Sequence, residues 1–546
     1  MSSTFTFNHA QLGPMTGVIT PDNVVQFRAI PYATIPARFK QSVLKTDSGG
    51  ETDFTKHGYA CPQTFPPSVA AGGPVPGGPE IPLADEFKCL ILQINVPLKQ
   101  LQSPSQDKLP LLVYIHGGGF VLGRIDEQHN TALMVQQSLA DAQPIIGISL
   151  QYRLGALGYL HPSPSPEHAN LALHDQRNAL LWIQRFISGF GGDSSQVTLF
   201  GESGGAMSIC AQMLFPAPSS GRLFRRAILM SGVLGPGTAP GTRDEANGVY
   251  EMFLQKLGIE DRGQEGLEEM RNIELDKIVK ATKEFAEEGL LLRTVRTEEW
   301  LGEGWEGMTW ERIPEAIGRC EWVEEIVLGT TSFEGTTFMA RVAGITPREW
   351  ISSITSQLGQ EGAEMLCKAY KVTPDMDHNL FTTSALRWIG DVIFEAPLHA
   401  WSKHLSTHTS KKLYSYVFDV RNPFPSHPLY QLPHHWVDKY FVFKTLQFRY
   451  PSQRLKDIST KHAQFWIDVA NGKVPWSEYR YSGNGDEVIM VADEREGWVE
   501  RTLEKHEEIM ETTSKRCDML LESWKGMQGR TFTPLEIDAF KGKSMV

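Results

Sequence analysis

The chain reads as an α/β protein in which a central, mostly parallel sheet is covered by helices on both faces. Three observations predict this. Strand-length, continuously apolar runs recur along the sequence, helix-period segments fall between them, and one run turns abruptly into a helix through Gly201-Glu202-Ser203-Gly204-Gly205. Unbroken apolar runs mark strands buried on both faces, whereas a sheet with one wet face alternates.

In chain order, the first strong strand is LPLLVYIHG, Leu109 to Gly117, which ends in a glycine run. PIIGISLQYR (Pro144 to Arg153) and VTLF (Val197 to Phe200) follow, the second stopping at the Gly-x-Ser-x-Gly turn. AILMSG (Ala227 to Gly232), EIVLGT (Glu325 to Thr330), LYSYVFDV (Leu413 to Val420) and VIMVA (Val488 to Ala492) complete the set, each rich in β-branched, aliphatic or aromatic residues. Asn178 to Phe190 and Ser452 to Lys473 carry apolar residues at helical spacing, the latter stopping at Gly472. Two stretches leave the alternation. The Pro/Gly-rich segment Pro66 to Pro82 predicts a loop excursion over about 62–88, and the acidic segment of about 243–324 predicts a helical one. The Trp300, Trp305 and Trp310 side chains in the latter read as packing, and both excursions are expected above the sheet, where they supply candidate walls for a site. No internal repeat is present, and residues 1–546 read as a single domain.

Composition narrows the function classes. The chain has 546 residues, 41% of them hydrophobic, and a formal net charge of −12 without a concentrated Lys/Arg run, which argues against a nucleic-acid surface. No segment is long and apolar enough to span a bilayer. The opening residues lack the basic and apolar regions of a signal peptide, no Asn-x-Ser/Thr acceptor occurs, and the six cysteines form no metal-binding pattern; these features predict a cytoplasmic protein. Small molecules are the expected partners, and oligomeric state is not readable.

The chemistry concentrates at Ser203. A strand entering a helix at Gly-x-Ser-x-Gly holds its serine in a strained turn beside a helix N-terminus, which is where a nucleophile is exposed. Acyl transfer also needs donors for the oxyanion. The run YIHGGGF offers the backbone amides of Gly118 and Gly119, and Gly204 adds a third. No Gly-Lys-Ser/Thr follows the glycines, so a phosphate cradle is excluded, and His116 reads as structural. In α/β-hydrolase folds the acid and then the histidine follow the serine. Glu334 stands in the loop after EIVLGT, and His434 and His435 stand before an aromatic run; Asp391 is the rival acid.

On FRAIPYA, CPQ at Cys61, CLILQINVP at Cys89, HGGGF, QYRLGALGYL, the long run from Asn170 to Gly205, and RRAILMSG, the chain resembles the type-B carboxylesterase family of carboxylesterases, cholinesterases and fungal-type esterases and lipases. The resemblance implies an α/β-hydrolase fold and a cofactor-free, metal-free serine hydrolase that cleaves carboxylic esters through an acyl-enzyme. It implies Ser203 as nucleophile, Glu334 as acid and His435, by the pattern HWVDKYFVF, as base. It also implies Glu202 and Ser231 as supporting residues, Arg153–Asp175 as a structural ion pair, and Cys61–Cys89 as a disulfide of secreted relatives. The same fold could transfer the acyl group to another acceptor, or serve as a non-catalytic binding module. Three departures stand out. Gly204 replaces the usual Ala; Phe87-Lys88 replaces an acidic pair before Cys89, which predicts a weakened salt bridge; and Pro62 to Lys88 lacks the tryptophan that stacks on choline, so neutral esters are expected.

Overall fold

The computed structural model describes residues 3–64, 73, 75, 83–103, 107–165, 168–219, 221–288, 292–510 and 514–525. Its strands are β1 (Thr4–His9), β2 (Gly13–Ile19), β3 (Val24–Pro31), β4 (Ala33–Thr34), β5 (Val43–Leu44), β6 (Ile91–Pro97) and β7 (Leu109–Ile115), followed by β8 (Ile146–Leu150) and β9 (Gly192–Glu202). The last are β10 (Arg226–Met230), β11 (Glu325–Thr331), β12 (Lys412–Asp419), β13 (Val488–Asp493) and β14 (Gly497–Thr502). Twelve of them form one sheet in the order β1-β2-β3-β6-β8-β7-β9-β10-β11-β12-β13-β14, while β4 and β5 pair apart.

The block from β8 to β13 is parallel throughout, and it contains all seven apolar runs read from the sequence. Every residue of β8, β10 and β11 is buried, as strands covered on both faces require. Antiparallel strands close both edges. These escaped prediction because β1 alternates exposed and half-buried residues, while the apolar run of β6, though buried throughout, is broken by Gln93 and Asn95. Side chains alternate between two cores. Ile115, Leu199 and Leu229 face the helices Leu171–Phe186 and Gly204–Leu214, and Tyr114, Phe200 and Ile228 face Ala132–Ala140 and Gln453–Ala470.

Two insertions interrupt the alternation. The expected one, between β10 and β11, contains the helices Arg243–Leu257, Gln264–Asn272 and Leu275–Glu287. A second, between β11 and β12, contains Pro347–Ala369, His378–Gly390 and Ala396–His408 and was not foreseen, because its helices carry no compositional break from the rest of the chain. Most of the loop excursion, residues 65–72, 74 and 76–82, lies outside the described residues. No helix among the described residues is long and apolar enough to cross a membrane.

Two expectations are corrected. The salt bridge thought to be weakened before Cys89 is present one residue earlier: Arg38 holds Glu86 through two hydrogen bonds of 2.7 and 2.6 Å. The tryptophans of the acidic segment pack away from Ser203. Trp300 is fully buried and donates to Ala211 O (2.8 Å), about 12 Å along the helix that starts beside Ser203. Trp305 lies under Arg243, and Trp310 meets Trp524 edge-on.

Candidate active site

The residues singled out in the sequence gather at the carboxyl ends of neighbouring strands, where ligands bind in open α/β sheets. Along the order β7-β9-β10-β11-β12, the strand ends deliver Gly118 and Gly119, then Ser203, Ser231 and Glu334, and finally the loop carrying His434 and His435.

Ser203 sits between β9 and the helix Gly204–Leu214 with φ 56° and ψ −123°, a left-handed backbone that a non-glycine residue adopts only when its surroundings impose it. The imposition is visible on both sides. Ser203 N donates to Met230 O (2.8 Å), Met207 N donates to Ser203 O (2.9 Å), and a Cβ on Gly205 would stand 2.1 Å from Ile115 O. Only glycine lets the helix approach β7 that closely. The serine is half-buried, and its hydroxyl makes no hydrogen bond among the described residues.

Across from it, the HGGGF turn runs through two left-handed glycines, Gly118 (φ 113°) and Gly119 (φ 59°). The amides of Gly118, Gly119 and Gly204 donate no hydrogen bond among the described residues, and the Gly204 position lies against Phe120 N and its ring. His116 turns away, with Nδ1 on Gly117 O (3.0 Å) and its ring stacked on Tyr152; burial drives its pKa down to about 4.

Glu334 is fully buried and its carboxylate is surrounded by partners. Oε1 accepts from Thr331 N (2.6 Å) and Ser231 Oγ (2.7 Å), and Oε2 lies 2.6 Å from His435 Nδ1. Ser231 itself holds a left-handed backbone at the end of β10. On the other side of the ring, His435 Nε2 lies 3.2 Å from Glu202 Oε1, while Glu202 Oε2 reaches Lys439 Nζ at 3.4 Å. Burial opposes the charged imidazole, but the Glu334 and Glu202 carboxylates outweigh it and the His435 pKa is raised.

The two rivals have other partners. His434 Nδ1 contacts His435 O, its Nε2 faces Asn422 Nδ2 (3.0 Å), and its ring stacks on His427; burial takes its pKa down to about 3. Asp391 is held by Tyr370 OH (2.7 Å) and by Arg516 Nε (2.5 Å). Cys61 and Cys89 are both buried free thiols, Cys61 together with burial raises the Cys89 pKa, and Cys61 Sγ accepts from Leu154 N (3.2 Å). Arg153 and Asp175 form a fully buried bidentate pair, both contacts being 2.8 Å.

Sequence reasoning missed two groups. Phe394 stacks on the His435 ring at 4.3 Å and 28°, and Phe338 continues the stack behind it. Phe394 lies on the π-turn Asp391–Glu395, a local widening that no periodicity signals. Asp438, three residues after His435, accepts from Tyr416 OH (2.9 Å), and burial reinforced by the Glu202 carboxylate pushes its carboxyl up to about 7. Its position in the pattern His-x-x-acidic was a signal, though the sequence does not reveal what the carboxyl touches.

Comparison with known proteins agrees with this geometry. The model of the carboxylesterase family matches residues 6–526. The para-nitrobenzyl esterase of Bacillus subtilis is 30% identical over 449 residues, covering 80% of this chain and 82% of its own. The phenmedipham hydrolase of Pseudarthrobacter oxydans is 28% identical over 509 residues, covering 89% and 95%. A solved PNB esterase superposes with a TM-score of 0.73 at 25% identity, covering 94% of this chain and 99% of its own. A family match over nearly the whole length, on a sheet that gathers its strand ends in this way, means that the chain belongs to the carboxylesterase family, the α/β-hydrolase enzymes that cleave carboxylic esters.

Proposed function

We propose that Ser203, His435 and Glu334 act as nucleophile, base and orienting acid in the hydrolysis of small neutral esters. The observation that carries this reading is His435, whose Nδ1 meets a fully buried carboxylate at 2.6 Å while its Nε2 lies 3.2 Å from Glu202, the residue that directly precedes Ser203. Ser203 Oγ attacks the ester carbonyl as His435 Nε2 takes its proton. Glu334 holds the Nδ1–H tautomer and stabilises the imidazolium. The tetrahedral oxyanion is met by the amides of Gly118, Gly119 and Gly204. Collapse expels the alcohol with the proton from His435, and water repeats the cycle on the acyl-enzyme, releasing the acid and the free serine.

Preference for neutral esters is supported by the walls around the reacting groups, which are Phe120, Phe338, Phe394 and Trp436. A fluorophosphonate probe tests the nucleophile directly. It should label the wild-type chain at Ser203 and leave Ser203→Ala unlabelled; labelling of the variant would overturn the assignment.

A further inference from the structure

A second cavity lies behind the catalytic acid, on the far side of β11 and β12. It holds about 80 Å³ and is bordered by residues of these strands, the helix Ala396–His408 and the carboxyl-terminal helices Leu503–Met510 and Ser514–Ser523. At ~10–15 Å³ per water centre this is room for several waters or one small organic molecule. Its wall is rich in groups that can donate hydrogen bonds and short of partners for them.

Three wall residues hold buried polar atoms with no hydrogen-bond partner among the described residues: Thr331 Oγ1, Ser402 Oγ and His506 Nδ1. Each of these residues is at least nine-tenths buried, and leaving such atoms unpaired costs ~1–3 kcal/mol apiece. The fourth group is a cation. Arg387 gives one nitrogen to Ser332 O and lays its guanidinium 3.8 Å over the Phe333 ring; among the described residues no carboxylate reaches ion-pair distance, although Glu395, Asp391 and Asp419 all act on it from farther off. Glu395 is the one acidic wall residue, and burial beside the Asp391 carboxylate pushes its carboxyl well above the usual range. The remaining titratable wall groups are His399, which is paired with Asp518, Tyr416, which donates to Asp438, together with Tyr479 and the Cys517 thiol. Asp419, just outside, is taken up by the Ser332 hydroxyl.

A guanidinium without an ion-pair contact, two free hydroxyls and an imidazole with a free nitrogen around a small recess match a compact anion with two acceptor oxygens. The geometry points to a binding site for a short-chain monocarboxylate, anchored by Arg387 and hydrogen-bonded by Thr331, Ser402 and His506 in its Nδ1–H tautomer. An occupant would sit directly against the residue whose backbone amide holds Glu334 Oε1 at 2.6 Å. Resting on the proposed function, this is also the chemical class of the acid that ester hydrolysis releases.

Calorimetric titration of sodium propionate into the full-length chain tests the site, with Ser203 first blocked by diethyl p-nitrophenyl phosphate. Binding at one site per chain is expected, unchanged by the block, weakened at least tenfold by Arg387→Met and abolished by the cavity-filling Ser402→Leu. Ser402→Ala removes only the hydroxyl and should weaken binding several-fold; turnover of p-nitrophenyl butyrate by the unblocked variants reports that each is folded. No propionate binding, loss of binding on blocking Ser203, indifference to all three variants, or equal displacement by chloride would each overturn the proposal. Should Ser203 resist the phosphate reagent, the hydrolase assignment fails instead, and the same titration of Ser203→Ala still reads the cavity.

Discussion

His435 joins two buried carboxylates, Glu334 at 2.6 Å and Glu202 at 3.2 Å, and most residue-scale consequences follow from that position. Ser203→Ala is expected to abolish turnover of p-nitrophenyl butyrate with little change in Tm, and His435→Ala should cost on the order of 10³-fold or more in kcat. His434→Ala loses its contacts with Asn422 and His427, so it should lower Tm while leaving kcat within about fivefold; the reverse pattern would move the base to His434. The pH dependence has a definite sign. In the proposed role of base His435 acts only when neutral, and its pKa is raised above the ordinary 6.5, so kcat/KM should climb with pH through a midpoint above that value. Glu202→Gln removes one of the two nearest carboxylates that raise it and should shift the midpoint downward; an unmoved midpoint would mean that Glu202 does not tune the base. The serine, acid and histidine were legible because their order and flanking motifs are linear features. Phe394 was not, since its place on the His435 ring depends on a π-turn and on a fold that brings distant segments together.

The strands of the parallel block could be read one by one, because burial on both faces leaves an unbroken apolar signature, whereas the half-wet β1 and the second helical insertion left no comparable mark. Where the family pattern and this chain part, at Gly204, the element itself predicts the outcome. A Cβ there would meet the Phe120 ring at 3.3 Å, a contact relieved by a few tenths of an ångström of ring movement, while alanine in a helix is favoured over glycine by ~1 kcal/mol. Gly204→Ala should therefore hold or raise Tm and change kcat/KM by no more than about threefold. Gly205→Ala would press its Cβ to 2.1 Å from backbone at Ile115 O and should lower Tm sharply. Equal effects of the two substitutions, measured by thermal unfolding, would contradict this account of the elbow. Cys61 and Cys89 offer a related test. Their thiols act on one another, and oxidation to a disulfide is expected to stabilise the chain by about 3 kcal/mol through loop closure, read as a higher Tm under non-reducing conditions and a bridged peptide by mass spectrometry.

At the scale of the whole molecule, two electrostatic and packing terms compete over substrate choice. The net charge of −12 would draw a cationic ester toward the protein, but that attraction is screened over ~8–10 Å in physiological salt and acts on arrival rather than on the bound state. Contact with the walls decides the rest. The groups around His435 and the Gly118–Gly119 turn include, besides Glu202, the apolar side chains Phe120, Phe338, Phe394 and Trp436, while the segment Pro62 to Lys88 has no tryptophan to stack on a quaternary ammonium. An apolar wall rewards each buried methylene by up to ~0.8 kcal/mol, about fourfold in kcat/KM, until the pocket is full. A quaternary ammonium head must instead shed its water against surfaces that return little. With p-nitrophenyl esters, kcat/KM is expected to rise from acetate through butyrate, pass a maximum and fall for long chains. At equal concentration, p-nitrophenyl butyrate should be hydrolysed faster than butyrylthiocholine. The opposite ranking would mean that the carboxylates near His435, Glu202 above all, act as a cation site strong enough to replace the missing tryptophan.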